Sequence, residues 1–359
     1  MFGMAAAPKM PHFATKLVPL GDWRGMDEPL SQAQDGSCRR DQVRKLGMAK
    51  TADQSNDKVQ RVIAIDWSGR VDAAGQRRHI WAGVWTASVD GEVSVKLEAG
   101  RTRDEVGEWL IELAHETPRM VIGIDCCFSY PAWFLAEHSC TTAFDFWKHV
   151  AAGHGERWLA RECEDRRFWG KPHKRPAEFC GEGLRRMMRL TDWDNKIAQA
   201  QEDGDPQRAA KMLGITPKSP FQIGGAGSVG TGSLRAMPFL LRLHEAGFRV
   251  WPFENAQLGN KLSKPLLVEI YTRLMTGPVA KSNAEARKTY LTARRKDDPL
   301  YAGISRSVFA KAQSSEDAFD ALVSTLEMVR HVDEFAKLHA TRDETFRLEG
   351  ITWRPGVRG

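Results

Sequence analysis

Two short apolar runs in this sequence end in an aspartate, and this feature constrains the fold more than any other. Residues 62–66 read VIAID and residues 121–125 read VIGID. Short apolar runs of this kind are typical of buried strands. An ionised carboxylate at the end of such a strand is costly unless it is paired, hydrogen-bonded or bound to a metal ion. Asp66 and Asp125 are therefore the first candidates for a functional site.

The two aspartates predict a cation site if their strands are neighbours. Carboxylates at the ends of adjacent strands emerge at the same sheet edge, where they repel and one pKa rises unless a cation bridges them. Mg²⁺ is the natural cation, because it is hard and prefers oxygen ligands together with several waters. We therefore predict Mg²⁺, or Mn²⁺ in its place, at this edge.

Further acids are candidates for the same site. Asp317 and Asp320, in SSEDAFDAL, are three residues apart and share a helix face. Asp317 also fits a capping box that begins at Ser314, so a purely structural role is open. Glu269, in LLVEIY, either joins the site or faces solvent by the period-two alternation of a strand.

The remaining pattern predicts an α/β domain over residues 59–350. HIWAGVWTAS and GEVSVKLEAG indicate two strands around Asp90 and Gly91, and Thr102 begins a helix. Further strands are predicted at residues 248–253 and in KPLLVEIYTRL, with a last helix from about 315 to 337. This order predicts a mixed sheet that opens on a three-strand meander and has flanking helices.

Three segments differ in character from this domain. Residues 1–58 are rich in polar and small residues without a sustained apolar period, which predicts a disordered tail. Residues 132–215 are rich in Trp, Phe and Arg and carry no strand signal, so we predict a helical insertion. Residues 351–359 are assigned to a C-terminal tail.

Composition narrows the class of protein. The chain is 42% hydrophobic and 27% charged, with no apolar run near the ~18 residues of a membrane helix and no recognisable secretory signal. Its six cysteines form no C-x-x-C pair, which favours reduced thiols and a cytoplasmic location. The net charge of +6 permits an anionic partner without identifying one.

A glycine-rich loop precedes the predicted helix in the second half of the chain. Gly225, Gly227 and Gly230 form a G-x-G-x-x-G pattern, and the strand after that helix ends at Glu254. This resembles a dinucleotide-binding fingerprint, but only PFQI stands where its first strand should be. The alternative is that the glycines bring backbone N–H groups close to a phosphate or to a facing segment.

The insertion contains a basic stretch, RRFWGKPHKRPAEFCGEGLRRMMRL. Arg175 and Trp169 illustrate its interleaving of cations with aromatic rings, which suits flexible nucleic acid whose bases stack and whose phosphates pair with arginine. The alternative is a solvated helical cap whose aromatic residues pack beneath it.

Several of these strings, taken in order, resemble the domain of unknown function 429 family. They are RVIAIDWSG, IDCCFSYP, KSPFQIGGAGSVGTGSLRAMPFL, WPFE, LLVEIY, DAFDAL and the closing RLEGITW. The family is a predicted nuclease branch of the ribonuclease-H-like superfamily. The resemblance covers residues 60 to 350 and implies a ribonuclease-H-like mixed sheet of five or more strands. EIYTR has threonine where the family pattern leads us to expect proline.

The resemblance implies a catalytic set and a reaction. Acids on the first strand, the fourth strand and the last helix correspond to Asp66, Asp125, Asp317 and Asp320, and Glu269 matches an acidic strand motif. The implied activity is Mg²⁺-dependent phosphodiester hydrolysis on nucleic acid, DNA or RNA, with two metal ions. A non-catalytic binding protein of the same fold and a dinucleotide-binding enzyme are the alternatives.

Overall fold

The computed structural model describes residues 58–88, 90–170, 173–180, 183, 187–195, 218–225, 227–259 and 263–358. These residues belong to one compact unit that spans Thr51–Gly359. The predicted disordered tail, apart from Lys58, lies outside the described residues.

A seven-stranded mixed sheet with flanking helices confirms the predicted α/β architecture. Its strands, in chain order, are β1 (Arg61–Asp66), β2 (Trp81–Ala87), β3 (Val93–Glu98), β4 (Met120–Ile124), β5 (Arg249–Trp251), β6 (Leu266–Ile270) and β7 (Thr352–Trp353). The strand order is β3-β2-β1-β4-β6-β5, and β7 pairs with β6. The first three strands form an antiparallel meander, and β4, β5, β6 and β7 add in parallel pairings.

Helices cover the sheet and fill the connections. They are α1 (Ala73–His79), α2 (Arg103–Glu116), α3 (Ala132–Glu137), α4 (Ala143–His149), α5 (Gly155–Leu159), α6 (Gly230–Glu245), α7 (Thr272–Thr276), α8 (Ala284–Asp297), α9 (Pro299–Ala302), α10 (Arg306–Ser314), α11 (Glu316–Arg330), α12 (Val332–Phe335) and α13 (Phe346–Glu349). Residues 190–195 are also helical. No helix within the described ranges is long and apolar enough to cross a membrane.

Local sequence signals account for several of these elements. Thr102 caps α2 in a reciprocal capping box with Glu105, as its position before the apolar period predicts. The hairpin of β2 and β3 pairs Ala87 with Val93 across the predicted turn. The structure adds α1, which the sequence assigned to a loop, and it places β7 in the sheet although residues 351–359 were assigned to a tail.

The described part of the insertion packs as an aromatic core. Phe134, Phe146, Phe168 and Phe179 are all fully buried, and the Phe134 ring packs against the rings of Phe146, Trp158 and Phe168. These aromatic rings therefore form a hydrophobic core, and their burial stabilises the fold.

Helix α11 lies directly on β1 and β2, and this contact positions the acidic end of the helix. Thr325 accepts a hydrogen bond from the Ala64 N–H and donates to the Ala321 carbonyl, so it joins the helix to the first strand. Gly83 on β2 permits the approach, because a Cβ there would lie 2.2 Å from Thr325 Oγ1 and 2.5 Å from the Ala321 oxygen. The position of Asp320 thus depends on the direct packing of α11 against the sheet.

We expect Gly83→Ala to lower the free energy of unfolding by about 2–3 kcal/mol, because the added methyl group must push α11 off the strand. Urea denaturation followed by circular dichroism measures the loss. Gly303→Ala is the matched control, since a Cβ at Gly303 meets open space. Equal stability of the two variants would contradict this description of the helix contact.

Candidate functional site

Asp66 and Asp125 stand side by side at one edge of the sheet. β1 and β4 are parallel with Ile65 opposite Ile124, and the Asp125 N–H donates to the Ile65 carbonyl at 3.0 Å. The two residues therefore follow matching positions on neighbouring strands. This is the juxtaposition that the paired apolar runs predicted.

Helix α11 brings Asp320 to the same edge. Asp320 is 2% exposed, and the Thr272 hydroxyl lies 2.9 Å from Asp125 Oδ2 and 3.3 Å from Asp320 Oδ2. One hydroxyl thus connects an acid from the sheet with an acid from the helix. The second oxygen of Asp320, Oδ1, is buried and has no hydrogen-bond partner among the described residues.

The convergence of these acids disturbs their ionisation. Burial, together with the charges of Asp320, Asp125 and Asp317, raises the pKa of Asp66 well above its usual value. Burial also raises the pKa of Asp125, although Lys281 and the Thr272 hydrogen bond oppose the rise. Burial raises the pKa of Asp320 to about 6 against the attraction of Lys281. Desolvation and mutual repulsion are the expected costs of carboxylates that share a site.

Lys281 supplies positive charge to this cluster. Its Nζ forms an ion pair with Asp320 and lies 3.7 Å from Glu316 Oε1. Burial lowers the pKa of Lys281, but the attraction of Asp320, Asp66 and Asp125 outweighs burial, so the net shift is upward. A single ammonium group facing three aspartates leaves negative charge uncompensated.

Asp317 lies at the rim of the cluster. It is half-buried, and its Oδ2 is 2.9 Å from Nδ1 of His79 at the end of α1. The alternative capping box between Ser314 and Asp317 is not formed. Ser315 instead caps α11 by accepting a hydrogen bond from the Ala318 N–H, while Ser314 donates to the Lys311 carbonyl. Asp317 is close enough to raise the pKa of Asp66, so it adds negative charge to the site.

Glu269 is engaged elsewhere, although it lies on the strand next to β4. Its two oxygens each accept a hydrogen bond from Arg189 at 2.7 Å. They also accept from the Phe128 N–H at 2.6 Å and from the Thr352 hydroxyl at 2.7 Å. All of these partners are buried with it, so both oxygens of Glu269 are already satisfied within the protein.

The glycine loop lies near the acids but not as a dinucleotide site. Gly225 and Gly227 have positive φ, of 83° and 70°. Gly230 is required by packing, since a Cβ there would lie 2.1 Å from the Pro220 oxygen. The segment before the loop contributes only an isolated bridge between Trp169 and Gln222, and Glu254 is held by Arg249 at 2.6 Å. The strand–loop–helix context that a dinucleotide fingerprint needs is not formed by these residues.

Arg175 and Trp169 contact each other rather than the acids. The Arg175 guanidinium lies 5.3 Å from the centre of the Trp169 ring and donates to the Phe179 carbonyl. Trp169 is half-buried against Phe179.

A cleft of about 410 Å³ opens beside Asp125. Its wall includes the loop after β1, the residues after β4 and β6, and the start of α6. The glycine-loop region contributes Ser228, Val229, Thr231 and Gly232 to this wall. The three glycines of the pattern, Gly225, Gly227 and Gly230, are not part of it. The cleft thus extends from Asp125 to the N-terminus of α6.

The carboxylate oxygens of the acid cluster are suited to binding a hard cation. As the side chains stand, no three His, Cys, Asp or Glu side chains among the described residues are arranged to hold a metal ion, and Asp320 instead pairs with Lys281. Yet Asp320 Oδ1 is a buried oxygen without a partner, and Asp66 carries a strongly raised pKa. Oxygen ligands with excess negative charge are the donor set that Mg²⁺ prefers.

Three contributors to the site carry little local sequence signal. Thr272 begins α7, Lys281 lies in the connection to α8, and His79 ends α1. Each meets its carboxylate only through the tertiary fold, since Lys281 is 39 residues from Asp320 and His79 is 238 residues from Asp317. The threonine of EIYTR, where proline was expected, provides the hydroxyl between Asp125 and Asp320.

We expect the metal-free protein to lose stability as pH rises through the titration of Asp320. Its pKa is about 6 when folded, against an ordinary value of 3.8. The folded state therefore binds more protons than the unfolded state in this interval, and unfolding becomes easier with increasing pH. The expected loss is on the order of 1–3 kcal/mol.

Urea denaturation in EDTA at several pH values, on wild type and Asp320→Asn, isolates this contribution. The wild type should lose stability relative to the variant between pH ~4 and ~6. A difference that stays constant with pH would contradict the raised pKa.

Comparison with protein-family models, with curated proteins and with solved structures gave no match to this chain.

Proposed function

We propose that this protein is a Mg²⁺-dependent phosphodiester hydrolase that acts on nucleic acid. The observation that carries the proposal is the convergence of Asp66, Asp125 and Asp320 at one sheet edge, with a buried oxygen of Asp320 left without a partner. Mn²⁺ is expected to replace Mg²⁺, because both accept carboxylate oxygens.

We further propose that the fold is ribonuclease-H-like. An antiparallel meander of β1, β2 and β3, followed by β4 parallel to β1, fits this assignment. The placement of acids at the ends of β1 and β4 and on the late helix α11 agrees with the pattern that the family resemblance implies. A catalytic role is argued from the site itself, since one fold serves many functions.

The proposed ligands are Asp66, Asp125 and Asp320, with Asp317 at the rim. A bound pair of ions would activate a water molecule and stabilise the leaving oxygen of an in-line displacement. Asp66, whose pKa responds to the charges of Asp320, Asp125 and Asp317, would contribute its carboxylate to this site. Thr272 orients Asp125 and Asp320 through its hydroxyl, and His79 orients Asp317. Lys281 adds a positive charge that can attract the substrate phosphate.

A cleavage assay on labelled single-stranded and duplex DNA and RNA tests this function. Wild type should cleave at least one of them in Mg²⁺ or Mn²⁺ and none in EDTA. Asp125→Asn should lose the activity while it stays folded by circular dichroism. Asp297→Asn is the matched control, because Asp297 is exposed at the end of α8. Metal-independent cleavage, or equal activity of Asp125→Asn, would contradict the proposal.

One observation favours a second candidate, a non-catalytic nucleic-acid-binding protein. The ammonium group of Lys281 stands at the acid cluster and pairs with Asp320. If that ion pair is permanent, the acids need no metal and serve as a structural network. The cleavage assay separates the candidates, since this one predicts no cleavage of any substrate, and its nucleic-acid binding, followed by fluorescence anisotropy, should be indifferent to Mg²⁺.

A further inference from the structure

The cleft next to Asp125 contains polar and aromatic groups that the proposed hydrolysis leaves unused. Its volume of about 410 Å³ falls within the ~300–1,000 Å³ of pockets that enclose small organic ligands. Asn195, Lys218, Tyr271 and Trp67 all contribute to its wall. These groups indicate what kind of ligand would occupy the space.

Asn195 is the strongest indication of a ligand. The residue is 6% exposed and lines the cleft, yet its amide makes no hydrogen bond with the described residues. Its amide offers both donors and an acceptor to a ligand in the cleft. The hydroxyl of Tyr271, in the same wall, likewise has no hydrogen-bond partner among these residues. Donor and acceptor groups together complement the edge of a nucleobase.

The cleft also has an electropositive side. Thr231 and Gly232, in the first turn of α6, line it, and no side chain caps this 16-residue helix. The N–H groups of Thr231 and Gly232 and the positive end of the helix dipole favour a phosphate there. Lys218 and Arg70 contribute cations to the wall, and neither has an acidic partner in the part of the chain that the structure describes.

Trp67 directly follows Asp66 and places an aromatic ring in the same wall. Its Nε1 donates to the Gly232 carbonyl at 3.1 Å, and its ring lies 4.6 Å from that of Phe239. These contacts hold the half-buried indole in place. Fixed aromatic rings of this kind support stacked bases in proteins that bind single strands.

We propose that this cleft binds one unpaired nucleotide of the substrate strand, adjacent to the phosphodiester at Asp125. The inference rests on the proposed function and specifies its substrate as a single strand or a frayed end. Trp67 would stack on the base, Asn195 and Tyr271 would bond its edge, and Lys218, Arg70 and the start of α6 would hold phosphate. A base within a duplex is stacked and paired, so it reaches such a cleft only by extrusion.

Fluorescence anisotropy in EDTA tests binding separately from cleavage. The probes are a short labelled single strand, the blunt duplex of the same sequence, and adenosine monophosphate as a competitor. The single strand should bind at least tenfold more tightly than the duplex. Trp67→Leu should weaken single-strand binding about 5- to 100-fold, the usual effect of removing a stacking ring.

Two further variants keep the test informative if Trp67→Leu does not fold. Asn195→Ala should weaken binding about 3- to 10-fold. Lys218→Ala should weaken it and reduce the dependence on salt by about one phosphate contact. Trp109→Leu and Lys148→Ala are the matched controls, because Trp109 lies on α2 under Arg101 and Lys148 is exposed on α4.

Equal affinity for single strand and duplex, or unchanged binding in Asn195→Ala and Lys218→Ala, would overturn the proposal. A mononucleotide that binds as tightly as the oligonucleotide would also overturn it, because the ligand would then be free nucleotide. Strand binding that follows these variants without any metal-dependent cleavage would retain the subsite and reject the hydrolase. Metal-dependent cleavage without a preference for single strands would retain the hydrolase and reject the subsite.

Discussion

Asp66→Asn should strongly reduce metal-dependent cleavage and, at the same time, stabilise the metal-free protein. Asp66 lies at the end of β1, where burial and three neighbouring aspartates raise its pKa. Removing a ligand that contacts the ions is expected to lower kcat by about 10²–10⁴-fold, since metal-ion catalysis supplies several kcal/mol. Removing the negative charge relieves repulsion and should raise the free energy of unfolding in EDTA by about 1–3 kcal/mol.

The opposite signs make this prediction specific. A residue that only supports the fold would lose activity and stability together when substituted. The comparison requires initial cleavage rates in Mg²⁺ and urea denaturation in EDTA at pH 7.5, with Asp297→Asn as the control. An Asp66→Asn protein that is less stable than wild type in EDTA would contradict our description of the acid cluster.

Arg189→Met should destabilise the protein by about 3–5 kcal/mol, the usual cost of leaving a buried charge without its partner. Arg189 is 1% exposed and forms two hydrogen bonds with Glu269 and two with Asp192, with donor–acceptor distances of 2.7–3.0 Å. It also donates to the Glu349 carbonyl at 3.2 Å, so it links the insertion to β6 and to the chain before β7.

Pairing this substitution with Glu269→Gln tests whether Glu269 is a structural partner. The double variant Arg189→Met/Glu269→Gln should recover part of the loss, because it removes one of the two carboxylates that the single variant leaves unpaired. Chemical denaturation at pH 7 in EDTA provides the values. A loss below about 1 kcal/mol for Arg189→Met would show that the network contributes little.

The acids at the ends of β1 and β4 were predictable because their sequence signal is local. VIAID and VIGID combine an apolar run with a terminal acid, and the parallel register of β1 and β4 places Asp66 beside Asp125. Asp320 was predictable from helical spacing, since α11 buries the face on which it lies. In each of these cases the periodicity of one element determines where its acid points.

Other features depend on contacts between distant segments. Alternation gave Glu269 either a solvent-facing or a metal-binding role, but all five residues of β6 are buried and its partner Arg189 comes from 80 residues away. Helix α1 is seven residues long with only Gln76 buried, so it shows no apolar period. Composition could not separate a nucleic-acid surface from an aromatic core, and burial of Phe168 and Phe179 decides for the core at those two positions.

Calorimetric titration of Mn²⁺ into metal-free wild type and Asp66→Asn at pH 7.5 tests the central claim most directly. We predict saturable binding to the wild type and none to a folded Asp66→Asn, because the charges of the three other aspartates all act on Asp66. Binding of equal strength to both proteins, or none to either, would contradict the claim that these aspartates form a metal site.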